Sequence, residues 1–129
     1  MQPECPAVLP SSDPRVFGPP TWECLHILAQ NYPEQADEKT RRRCRRFLSC
    51  LSHLLPCSHC GKHFRAFLCR ADLKSAVSGR APLVALLVAA HNAVSARTRP
   101  ELPPYSAACA RNQYARMPPK SYPPAELWT

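Results

Sequence analysis

Apolar residues recur at helical spacing through the middle of the chain, and no segment shows the alternation of a half-buried strand. A first helix is expected over residues 21–32. Its stripe is Trp22, Leu25, His26 and Ala29, with Thr21 as cap and Pro33 past its end. A second, over 38–55, has the stripe Cys44, Phe47, Leu48, Leu51 and Leu54 or Leu55, with arginines on the other side. Pro56 stops it, because the residue before a proline avoids the α region. A third, over 57–68, has the stripe Cys57, Cys60, Phe64, Phe67 and Leu68. A fourth, over 82–97, opens with Pro82 in its first turn and is apolar nearly all round, so it should lie centrally. A short fifth helix is expected over 106–117. This pattern predicts an all-α fold: a four-helix bundle with a short fifth helix.

Proline marks the ends. Six of the sixteen prolines fall within the first twenty residues, and Pro118, Pro119, Pro123 and Pro124 crowd the other terminus. The expected organisation is a flexible arm over 1–16, a helical domain over 17–117 and a tail over 118–129. A chain of 129 residues suits one domain. No apolar run approaches the ~20 residues that cross a bilayer. The segment MQPECPAVLP lacks the basic start and apolar centre of a secretory signal, so a cytoplasmic protein is expected.

The formal net charge of +8 favours anionic partners, and much of it lies in KTRRRCRRF, residues 39–47. That run reads as a solvated helix face. A nucleic-acid patch is the alternative, but no zinc-finger, RRM or homeodomain pattern accompanies it.

Eight cysteines are many for a chain with no export signal, and in a reducing compartment they point to metal or redox chemistry. Cys57 and Cys60 form a CxxC in LLPCSHCGKHF. Pro56 puts Cys57 at a helix start, where free N–H groups and the helix dipole stabilise a thiolate. Cys60 follows one turn in, on the apolar face. A redox pair with one sulfur outside and one facing a buried acceptor fits that arrangement. Zinc is the other reading, since Cys50, His53, Cys57, His59, Cys60 and His63 are six candidate ligands. No second CxxC or HxxxH block follows at finger spacing. Cys24, Cys44 and Cys50 are expected as small buried apolar residues.

Three segments, in order, resemble the Erv/Alr family of FAD-dependent sulfhydryl oxidases. FGPPTWECLHILAQNYP is similar to that family's first helix, LLPCSHCGKHF to its redox motif, and AAHNAVSAR to its flavin-binding HNxVN helix. The resemblance covers roughly residues 17–97. It implies FAD as cofactor, held by Gly18, Trp22, His26, Tyr32, His91, Asn92, Val94, Ser95 and Arg97. It implies catalysis by Cys57, which exchanges with a partner dithiol, and Cys60, which faces the flavin. No resident metal is implied. The implied acceptor is molecular oxygen, which leaves as hydrogen peroxide, and the implied assembly is a homodimer. The expected partner is a small CxxC-containing relay protein; nucleic acid is not expected to be one.

The chain departs from the family pattern at several positions. Phe17 stands where Trp or a basic residue is common, Ser95 replaces the last asparagine of HNxVN, and Leu86 replaces a tryptophan. Val88 stands where a structural cysteine is usual, which leaves Cys109 without a mate. The arm carries only Cys5, too few for an internal shuttle disulfide. These features resemble minimal members from large DNA viruses. They imply host cytoplasm or virion, with the mitochondrial intermembrane space as the alternative. The rival reading is a zinc-stabilised helical module that binds nucleic acid or an acidic partner through its arginine-rich helix.

Overall fold

A computed structural model of the chain describes residues 9–115. Among these residues the fold is all-α. Four long helices make the bundle: α1 (Pro14–Gln30), α2 (Glu38–Leu54), α3 (Ser58–Arg70) and α5 (Arg80–Thr98). Two short ones, α4 (Leu73–Ala76) and α6 (Ala107–Ala110), accompany them, and α6 runs on into a π-helical turn at Arg111–Ala115. α1 packs along α5, and α2 packs along α3. The centre is apolar, with Leu25, Ala29, Leu48, Leu68, Leu83, Val84, Leu87 and Val88 in one cluster. As its all-round apolarity requires, α5 contributes the most to this core.

α1 starts seven residues before the expected Thr21, so residues 14–20 are helical and not part of an extended arm. Asp13 and Pro14 are the reason. The Asp13 carboxylate accepts the Arg15 N–H at 2.8 Å, and proline is favoured in the first turn. Pro19 and Pro20 lie inside the helix and withhold two N–H donors from it. Thr21 is not a cap; its hydroxyl donates back to the Phe17 carbonyl at 2.6 Å. Cys5 lies outside the described residues, as do the first half of the arm and the whole tail.

α2 is capped by Asp37, whose carboxylate accepts the Thr40 N–H at 2.7 Å. Pro56 has no N–H to give the Ser52 carbonyl, four residues back. Arg65 on α3 supplies the missing donor, Nη1 to that oxygen at 2.8 Å. This contact ties α3 to the end of α2. Gly61 makes the approach close: a Cβ there would stand 2.5 Å from the same Ser52 oxygen. Gly61→Ala is expected to cost about 1–3 kcal/mol through overpacking. Gly18→Ala is the contrast, since nothing lies within 4 Å of its missing Cβ. That change should be neutral or stabilising by about 0.5–1 kcal/mol. Denaturant midpoints of both variants, at unchanged slope, check the pair.

α4 was not expected. Asp72 caps it, accepting the Ser75 N–H at 3.2 Å and the Ser75 hydroxyl at 2.8 Å. α5 begins at Arg80, two residues early, because Gly79 lets the chain pass against the Glu34 backbone. Arg80 Nε then donates to the Tyr32 carbonyl at 2.7 Å. The fifth helix is one turn, capped by Ser106, and its later part is π-helical.

The second helix also differs in what it buries. Leu48 is buried, but Phe47 is 45% exposed and Leu54 77% exposed. Both lie on the predicted stripe, Phe47 at the edge that lines a groove with α1 and Leu54 at the end of α2. Cys24 and Cys50 are exposed and Cys44 is half-buried, so none of the three is a buried core residue.

Candidate active site

Cys57 and Cys60 form a disulfide with Cα atoms 5.3 Å apart. Cys57 is the N-cap of α3, and its sulfur accepts the Cys60 N–H at 3.2 Å. The first turn of α3 therefore gives the pair one N–H donor. Both cysteines are half-buried, so the expected contrast in exposure is absent. They differ in position along the helix instead. Cys60 shares a face with Phe64 and Phe67, at i+4 and i+7.

Phe64 and Phe67 form one wall of a cleft of about 250 Å³ between α3 and α5. Ala90, Ala93 and Val94 form the other, and His63, Arg70 and Arg97 stand at the rim. Val94 and Arg97, two of the residues expected to hold the cofactor, line the cleft. Ser95 is half-buried beside them on α5, and its carbonyl accepts the Arg99 N–H at 2.7 Å.

A second cluster lies where α1 meets α5. Trp22 stacks on His91, centroids 4.4 Å apart and planes 6° from parallel. His26 Nε2 lies 3.0 Å from His91 Nδ1. Only one proton fits between two ring nitrogens at that distance, so at least one ring is neutral. His26 is 1% exposed, and burial pushes its pKa down to about 4, with His91 adding to the shift. His91 moves the same way, also through burial. Gly18, Trp22 and His26 sit four residues apart on one face of α1, and open space lies beside Gly18.

These pKa values have a direct consequence for stability. A depressed folded pKa means that the unfolded chain binds the extra proton first. His26 therefore stabilises fully above pH 6.5, and the contribution fades as pH falls toward 4. The expected loss across that window is about 3 kcal/mol. Denaturant unfolding from pH 7 to pH 4 checks it, with His26→Phe expected to give a flatter profile.

Two aromatic residues absent from the expected set complete this cluster. Tyr114 stacks on His26 at 5.4 Å, and Tyr105 lies 5.7 Å from His26 and 6.0 Å from His91. Tyr105 follows the prolines after α5, and Tyr114 lies within the expected fifth helix, where nothing in the sequence singles it out. Asn92 brings Tyr105 in. Its side-chain amide donates to the Tyr105 carbonyl and accepts the Tyr105 N–H, each at 2.7 Å. The asparagine of the HN motif thus pins a backbone segment. The Tyr105 hydroxyl in turn hydrogen-bonds Gln113 on the π-helical turn.

Tyr32 stands apart from both groups. Its hydroxyl donates to the Val77 carbonyl at 2.7 Å, holding the end of α1 to the segment after α4. Burial pushes its pKa up to about 12. His59 and His63 face each other, Nε2 to Nε2 at 3.1 Å. Among the described residues no three His, Cys, Asp or Glu side chains converge into a metal-sized cluster. Among the described residues, Cys24, Cys44, Cys50, Cys69 and Cys109 have no disulfide partner.

The chain is similar to known proteins. A model of the Erv1 / Alr family matches residues 19–115. The chain is 34% identical over 93 residues to a putative FAD-linked sulfhydryl oxidase of invertebrate iridescent virus 3, covering 71% of this chain and 63% of that protein. It is 30% identical over 87 residues to the mitochondrial FAD-linked sulfhydryl oxidase ERV1 of Saccharomyces cerevisiae, covering 67% of this chain and 45% of that one. The chain therefore spans under two thirds of the length of either relative. The crystal structure of the yeast Erv1 core superposes with a TM-score of 0.74 at 24% identity, over 88% of this chain and 92% of that one, a likeness of fold. With the matched region running from the first helix, through the CxxC, to the π-helical turn, the chain belongs to the Erv1 / Alr family.

Proposed function

We propose that this chain is an FAD-dependent sulfhydryl oxidase that forms disulfides in partner proteins. The observation that carries this reading is the Cys57–Cys60 disulfide at the N-terminus of α3, with Cys60 on the face of Phe64 and Phe67 that lines the cleft. The family's named members support FAD as the cofactor, and the residues fit it. Two ring systems need stacking surfaces, and the Trp22–His91 wall and the apolar cleft are two such surfaces joined by α5. A diphosphate needs positive charge, and Arg97 and Arg70 stand at the cleft rim. Gly18 leaves bare backbone on the face of α1 that carries Trp22 and His26. Asn92 contributes by fixing Tyr105.

The thiol chemistry follows from the helix start. A partner thiolate attacks Cys57 Sγ, the Cys57–Cys60 bond breaks, and Cys60 leaves as a thiolate. The partner's second thiol then attacks its own sulfur in the mixed disulfide, and Cys57 leaves. The Cys60 N–H already points at Cys57 Sγ, so the leaving thiolate meets a donor and the positive end of α3. The partner departs as a disulfide, and two electrons remain on Cys57 and Cys60. The chemistry that bound FAD supplies is to accept this pair and deliver it to dioxygen as hydrogen peroxide. Oxygen consumption with a small dithiol, matched by peroxide, tests the reading. FAD-loaded protein without either would refute it.

We also infer a homodimer, supported by an apolar groove between α1 and α2. Pro20, Cys24, Leu25, Phe47 and Leu51 line it. A solvated Phe47 and Leu54 beside that groove are what a second subunit would cover. Phe47→Asp is expected to halve the mass measured by light scattering, whereas an unchanged dimer would place the interface elsewhere. Among the described residues no helix is long and apolar enough to cross a membrane. A viral relative and a mitochondrial one support host cytoplasm or virion as the setting, with the intermembrane space as the alternative.

A further inference from the structure

The bundle and the proposed chemistry leave one large feature unused, the outer face of α2. Lys39, Arg42, Arg43 and Arg46 recur at i, i+3, i+4 and i+7, so they form one stripe about 10 Å long. All four are exposed. The other cations of this helix have partners: Arg45 lies 3.7 Å from Glu38, and Arg41 Nε donates to the Ala36 carbonyl at 2.7 Å. Among the described residues, no carboxylate forms a salt bridge with any of the four stripe residues. The stripe lies opposite buried Leu48, and although Arg43 neighbours Phe47 at i, i+4, Arg42 and Arg46 point away from a subunit seated on the α1–α2 groove.

Its position relative to the redox pair gives it a use. α2 ends at Leu54, and Cys57 follows three residues later. At about 1.5 Å per residue, Arg46 lies roughly 12 Å along the helix from that end, and Lys39 roughly 22 Å. An extended peptide covers about 3.3 Å per residue. A substrate whose cysteine meets Cys57 therefore reaches the stripe about four to seven residues away.

We propose that the Lys39–Arg42–Arg43–Arg46 stripe docks an acidic segment that flanks the cysteine pair of the protein substrate. This rests on the oxidase reading and adds a substrate class to it: dithiol proteins with clustered Asp or Glu about four to seven residues from the reactive cysteine. Complementary charge raises encounter rates by ten- to a thousandfold, and the gain falls steeply with salt. A small neutral dithiol has nothing for the stripe to hold. Continuity with the CxxC favours a protein segment over nucleic acid, which has no thiol to deliver.

The test uses the FAD-loaded full chain and two synthetic peptides. Each carries a reduced CxxC; one has four glutamates starting four residues away, the other has serines there. The acidic peptide should be oxidised with a kcat/KM about tenfold higher at low ionic strength. That advantage should collapse at about 0.5 M salt, where screening lengths fall to a few ångströms. It should also vanish in Arg42→Ser/Arg43→Ser/Arg46→Ser, while turnover of dithiothreitol stays within twofold of the parent. Binding of fluorescent Ser-for-Cys versions of the peptides, read by anisotropy, gives the same comparison without catalysis. Loss of dithiothreitol turnover in the parent protein would fail the oxidase reading, and the anisotropy result would still decide the stripe. Equal affinity and equal kcat/KM for the two peptides would overturn the proposal. So would a preference that survives the triple substitution. Tight binding of a DNA duplex by the parent but not the variant, with no peptide preference, would make the stripe a nucleic-acid surface and overturn it as well.

Discussion

Cys60→Ser is expected to abolish dithiol-driven oxygen consumption, and Cys57→Ser to do the same for a different reason. In Cys60→Ser, a partner thiol finds no disulfide to attack, and no sulfur remains on the face shared with Phe64 and Phe67. In Cys57→Ser, Cys60 keeps its place on the face of Phe64 and Phe67 but has lost the sulfur proposed to meet the partner. Each loss should exceed about a thousandfold in kcat, since either residue's removal ends the covalent route. Stability should change by far less, because the disulfide closes a very short loop. The comparison is turnover beside denaturant midpoint for each variant. Cys24→Ser, Cys50→Ser and Cys69→Ser serve as controls, since all three cysteines are exposed and unpaired. Full activity in Cys57→Ser or Cys60→Ser would remove this pair from the mechanism.

The second large effect belongs to the aromatic wall. Trp22→Ala removes the ring stacked on His91 at 4.4 Å and a flank of the cluster that includes His26. The ring is half-buried, so a loss of about 2–3 kcal/mol is expected, below that for a wholly enclosed tryptophan. Flavin retained through purification should fall tenfold or more, and Trp22→Phe should recover most of it. Tyr32→Phe separates the site from its surroundings. It leaves the Val77 carbonyl without its donor, at about 1 kcal/mol, while flavin content stays at the parent value. Flavin lost in Tyr32→Phe but kept in Trp22→Ala would reverse these two assignments.

Much of this site was legible in the chain itself, because helical spacing converts sequence into shared faces. Trp22 and His26 had to lie together on α1, and Cys60 had to share a face with Phe64 and Phe67. Pro56 forced a helix break that put Cys57 at a start. What stayed hidden depends on contacts between distant segments. Tyr105 reaches His26 from the segment after α5, held there by Asn92, and Tyr114 reaches it from the π-helical turn; local pattern could place neither beside His26. The stripe of α2 placed Phe47 among core residues, yet hydrophobicity does not say how fully a neighbour covers it, and α1 leaves it 45% exposed in the groove they share. The early start of α1 was written in Asp13 and Pro14, and was outweighed by the prolines that follow. Tyr32 was grouped with the cofactor by resemblance, whereas its hydroxyl bonds the Val77 carbonyl.

The central claim is that this bundle holds FAD beside a working disulfide. The most direct measurement is the visible absorption spectrum of the purified protein, with the released chromophore quantified after denaturation. The account predicts a yellow protein with about one FAD per chain, bleached when a dithiol is added without oxygen and restored by air. A colourless protein that takes up no added FAD, or one whose bound FAD no dithiol can bleach, would contradict it.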